Sequence, residues 1–67
     1  MLTIPSYFDL DSVAIRWVDK LAGPELYVGN GKWEKYTDIG RVLMEGSVIP
    51  KPEFDSFLAD IDEFLST

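Results

Sequence analysis

Residues 51–67, KPEFDSFLADIDEFLST, constrain the fold of this chain more than any other stretch. Phe54, Phe57, Leu58, Ile61, Phe64 and Leu65 recur at i, i+3, i+4, i+7, i+10 and i+11, one face of a helix with 3.6 residues per turn. At roughly 100° per residue these positions share an arc of about 120°. Glu53 and Asp60 lie along one shoulder of that arc, Asp55 and Asp62 along the other, and Glu63 points away. So continuous an apolar face calls for burial against another layer, expected to be the hairpin of the same chain or, failing that, a second copy.

With 67 residues the chain is one domain, small enough that burial barely exceeds the entropy of ordering it, about 1.5 kcal/mol per residue. A partner, or a second copy of the chain, is a natural source of additional burial. The sequence has no cysteine and no histidine, which excludes a disulfide framework and the usual zinc ligand sets. The opening MLTIPSYFDLD lacks a basic region before a long apolar run, and no apolar stretch reaches the ~18 residues of a membrane helix. Neither a secretory leader nor a membrane span is predicted, and a cytoplasmic location is the expectation.

The net charge of −6 is unevenly placed. Residues 45–67 carry Lys51 against Glu45, Glu53, Asp55, Asp60, Asp62 and Glu63, a balance of −5, whereas residues 12–44 are close to neutral. Such a field repels nucleic acid and anionic lipid and favours basic protein surfaces.

Ahead of the terminal helix the pattern is less decisive. Ser6 with Asp9 resembles a capping box in which Asp replaces the usual Glu, and Leu10, Val13, Ala14, Trp17, Val18 and Leu21 again follow helical spacing up to Gly23-Pro24. The rival is a strand, since SVAIRWV is rich in β-branched and aromatic residues and Val13, Ile15 and Trp17 alternate. A helix over 7–22 is the preferred reading, which only Ile15 fits badly. ELYVGNGKWEKY reads as a β-hairpin over 25–36 with Asn30-Gly31 suited to a type I′ turn. A longer loop that included Gly29 would place Tyr27 opposite Trp33 and Glu25 opposite Lys35, both favourable cross-strand pairs. Thr37 and Asp38 can cap a short helix over 38–45 that Gly46 ends, Ser47 to Pro50 should be extended, and Pro52 suits the first turn of the last helix. The expected fold is a small single α+β domain: a β-hairpin packed against an amphipathic C-terminal helix over 51–66, with an N-terminal helix or, failing that, a strand. Its expected core is Trp17, Val18, Leu21, Leu26, Val28, Leu43, Phe54, Phe57, Leu58, Ile61 and Leu65.

Catalytic chemistry has little to work with, because acid–base work would fall to carboxylates, lysine or tyrosine and the chain is short for a substrate cleft. No enzyme activity is expected. Gly23, Gly29, Gly31 and Lys32 lack the spacing of a phosphate-binding loop. Asp9-x-Asp11 and Asp60-x-Asp62-Glu63 do not match a calcium loop, and Asp60 and Asp62 diverge on a helix, so neither metal nor cofactor is expected. Lys32, Trp33, Lys35, Tyr36 and Arg41 could form a platform for single-stranded bases, but the cations are few and the field is negative. Trp33 as the cover of a small core is preferred.

The acidic helix remains. Glu53 and Asp55 suit the positive N-terminal end of its dipole, whereas Asp60, Asp62 and Glu63 sit towards the disfavoured end, with no lysine four residues away. These five carboxylates are the candidate partner-binding residues. The expectation is a non-catalytic protein-binding module, an adaptor or inhibitor of a larger protein, whose partner has a basic surface or is a second copy. The alternative is a DNA mimic, because five charges over about 15 Å of helix approach the charge spacing of one DNA strand. No direct nucleic-acid or membrane partner is expected.

Overall fold

Leu10 and Val13 face each other across a two-residue turn made of Asp11 and Ser12, both at positive φ (50° and 69°). This is the geometry of a type I′ turn, whose twist matches that of the strands it joins. Asp9 stabilises it by accepting the Ser12 N–H at 3.0 Å. Residues 7–22 therefore do not form the expected helix, and the strand reading holds for 13–17. The computed structural model describes residues 3–66, and in it Ser6–Leu10 (β1) and Val13–Trp17 (β2) form an antiparallel hairpin. Ser6 is no helix cap: it opens β1 and donates its hydroxyl to the Thr3 carbonyl.

Glu25–Gly29 (β3) and Lys32–Lys35 (β4) form the expected second hairpin. Its register combines both sequence readings. Asn30 and Gly31 form a two-residue turn at positive φ (56° and 73°), yet a bulge between Tyr27 and Gly29 brings Tyr27 opposite Trp33 and Glu25 opposite Lys35. Ile39–Glu45 (α1) follows, with the Asp38 carboxylate accepting the Arg41 N–H at 3.1 Å and Gly46 closing the helix. Ser47–Val48 (β5) is extended and pairs with β1, and Lys51–Leu65 (α2) completes the chain with proline in its first turn.

The strands form one antiparallel sheet in the order β4-β3-β2-β1-β5. Alternation of side chains gives it two apolar faces. On one, Phe8, Leu10, Ile15 and Trp17 pack with Val42 of α1; on the other, Ala14 and Tyr27 pack with Phe54 of α2, bordered by Tyr7, Trp33, Ile49, Phe57, Leu58 and Ile61. The amphipathic C-terminal helix thus lies across the sheet, touching β1, β2 and β3 rather than one hairpin alone. Tyr7, Phe54, Trp33 and Tyr27 form a run of ring contacts beneath it, with centroids 4.8, 6.1 and 4.9 Å apart in turn.

Several expected core residues lie elsewhere. Val18 and Leu21 fall in the connection between β2 and β3, and Leu21 is 98% exposed. Val28, Leu43 and Leu65 are exposed as well; α1 turns Val42 rather than Leu43 to the sheet. Trp17 and Phe54 are buried, and Leu26, Phe57, Leu58 and Ile61 half-buried. Burial therefore fades along α2, from Phe54 at 1% exposure to Phe64 at 78%.

Candidate functional site

The carboxylates of α2 do different jobs. Asp62 turns inward: Tyr27 Oη donates to its two oxygens at 2.8 and 3.0 Å, and the Asn30 N–H donates to one of them at 3.0 Å. The Tyr27 oxygen in turn accepts the Gly31 N–H at 2.9 Å. Asp62 is thus a clasp between the end of α2 and the β3–β4 turn. Its placement near the disfavoured end of the helix dipole is offset from within the chain. Asp55 holds Lys51 one turn back, and that ammonium also lies 5.6 Å from the Tyr7 ring centre. Glu53, Asp60 and Glu63 are exposed.

Two titrating groups feel these contacts. The Gly31 N–H acts to lower the Tyr27 pKa, but hydrogen bonding to Asp62, burial and the Asp62 charge together raise it above 10.0. Lys51 is raised above 10.5, mainly by its hydrogen bond to Asp55, against a smaller desolvation effect.

The basic and aromatic residues of β4 and α1 do not form one platform. Trp33 is half-buried against Tyr27 and Phe54, while Tyr36 packs with the cluster on the opposite face of the sheet. Arg16 from β2 lies 3.9 Å from the Trp33 ring centre and bonds Glu25 at 2.9 Å. Arg41 pairs with Glu45 at 3.4 Å and with Asp11 at 3.8 Å.

Asp9, Glu53 and Asp60 line a shallow depression of about 400 Å³ with Ile49, Ser56 and Phe57. Among the described residues no three carboxylates are grouped so as to hold a metal ion. Among the same residues no helix is long and apolar enough to cross a membrane.

The more distinctive concavity arises from the sheet itself. In consecutive antiparallel hairpins both turns lie at the same end, so Asp11-Ser12 and Asn30-Gly31 are neighbouring tips. Pairing between the hairpins is confined to Ile15 opposite Leu26 and Arg16 opposite Glu25, which leaves Val13 of β2 and Tyr27 and Val28 of β3 outside that ladder. The result is a cleft of about 620 Å³ walled by Ser12, Val13, Leu26, Tyr27 and Val28 and closed on one side by Asp60, Ile61, Phe64 and Leu65 of α2. Sequence reasoning missed it because the turn at Asp11-Ser12 was not foreseen. The available signals were Ile15, which disrupts the helical pattern, and the apolar C-terminal end of α2, longer than one hairpin can cover. Compared with protein-family models, curated proteins and solved structures, the chain matches none of them.

Proposed function

We propose that this chain is a non-catalytic protein-binding module, an adaptor or a small inhibitor of a larger protein. The observation that carries this reading is the apolar cleft between the hairpin tips, with Asp60 in its lining. A pocket for a small molecule encloses about 70–90% of its ligand. Here Val13, Val28, Phe64 and Leu65 are 37%, 37%, 78% and 53% exposed, which suits an open surface for a polypeptide better. DNA mimicry is less well supported, because Asp62 and Asp55, two of its five charges, are engaged within the chain.

The test is capture of partners by immobilised wild-type protein, by a Val28→Thr/Phe64→Ser variant that makes the cleft polar, and by Met44→Ser on the outer surface of α1. A partner retained by wild type and Met44→Ser but lost with the cleft variant supports the reading. Retention by all three, or displacement of the partner by DNA, overturns it.

A further inference from the structure

We infer that the occupant of the cleft is a cationic segment of another protein that wedges one large apolar side chain, Leu, Phe or Trp, between the hairpin tips and sets a flanking Lys or Arg against Asp60. This inference rests on the protein-binding reading and specifies its partner.

The shape of the cleft supports a wedge. Val13 of β2 faces Leu26 and Val28 of β3 across it, and Ile61 and Leu65 of α2 close one side. A volume of about 620 Å³ is ample for one large side chain and its immediate neighbours, within the range of about 300–1,000 Å³ typical of binding pockets. The clasp from Asp62 to Tyr27 and Asn30 fixes the β3–β4 tip to α2, so the site is formed before binding and little ordering entropy opposes an incoming anchor. Buried anchors of this kind carry most of the energy of protein interfaces.

Charge selects among occupants. Asp60 lies in the lining, while Asp11 at the other tip is partly neutralised by Arg41 at 3.8 Å. Lys32 adjoins the β3–β4 turn, but the chain as a whole carries −6. A second copy would bring the same −6 to this rim, so the field works against self-association and for a basic partner.

The experiment follows backbone amide shifts of the isotope-labelled protein during titration with short synthetic peptides. The first has a central Phe flanked by Lys and Arg, the second replaces the cations with Glu, and the third replaces Phe with Ala. The proposal expects the cationic Phe peptide to shift Val13, Val28 and Ile61, roughly tenfold weaker binding of the anionic peptide, and loss of the shifts with Ala. Asp60→Asn, with its fold checked by circular dichroism, should weaken the cationic peptide and flatten its salt dependence.

Equal binding of cationic and anionic peptides overturns the proposed occupant. So does a concentration-dependent dimer that Val28→Thr dissociates, or a cleft that octanol perturbs while no peptide does. If peptides fail but the capture experiment still finds a cleft-dependent partner, the occupant is wrong and the binding-module reading stands. If both fail, both are wrong.

Discussion

Tyr27 and Asp62, 35 residues apart in sequence, meet through a phenol–carboxylate hydrogen bond of 2.8 Å that closes the end of α2 onto β3. Asp62→Ala removes the acceptor of both the phenol and the Asn30 N–H and should cost about 1.5–3 kcal/mol, the range for hydrogen bonds to a charged group. Urea denaturation checks this; a change below about 0.5 kcal/mol would place Asp62 among ordinary surface residues.

Alkaline pH should loosen the same clasp. The folded state holds the Tyr27 proton more tightly than the unfolded chain does, so this stabilisation is complete below the ordinary value of 10.0 and is lost as pH rises through the raised folded value. Lys51 has the same sign relative to 10.5, because Asp55 stabilises its ammonium form. Denaturation midpoints at about pH 8 and about pH 11 should therefore differ less in Tyr27→Phe than in wild type, and least in Tyr27→Phe/Lys51→Met. An equal pH dependence in all three proteins would contradict this assignment.

Gly29 has a φ of +97°, and a methyl group there would collide with the Leu65 side chain. Gly29→Ala should cost about 1–2 kcal/mol from the backbone alone, with an added penalty from the collision. In a Leu65→Ala background only the backbone part should remain, so a double-mutant cycle separates the two effects. Additive costs would show that the collision is relieved by movement of the leucine.

The largest fully buried side chain and the most exposed large apolar one among the described residues predict opposite behaviour. Phe54, 1% exposed beneath α2, should cost about 3–5 kcal/mol on truncation to Ala. That is a large share of the about 3–10 kcal/mol that ~0.05–0.15 kcal/mol per residue implies for this chain. Leu21, 98% exposed, should tolerate Ser within about 0.5 kcal/mol. Thermal melts of the two variants are sufficient; a costly Leu21→Ser would mean that the loop between β2 and β3 is covered in solution.

The C-terminal half of the fold was legible because its signals are local and redundant. Asp38 and Gly46 bracket α1, Asn30-Gly31 marks the turn, and the stripe from Phe54 to Leu65 matches helical spacing alone. The N-terminal half misled for a geometric reason. A two-residue turn places Leu10 and Val13 on the same face three positions apart, so a hairpin reproduces the i, i+3 step of a helix. Asp11 and Ser12 adopt positive φ without glycine or asparagine, which hides the turn from composition. Of the candidate site, the carboxylates were visible as a row, but their division into Asp62 in a clasp, Asp55 in an ion pair and Glu53, Asp60 and Glu63 exposed depends on tertiary contacts.

The short seam between the hairpins orders events in time. Each hairpin closes over two residues and can form on the scale of about 1–10 μs, before residue 62 has approached residue 30. With only two facing pairs between them, neither hairpin is a strong template for the other, and arrival of α2 across β1, β2 and β3 becomes the event that commits the sheet. Tyr7, Ala14, Tyr27 and Trp33 share the apolar face that packs with Phe54 of α2, so in synthesis from the N-terminus that face gains its cover only once α2 has been made.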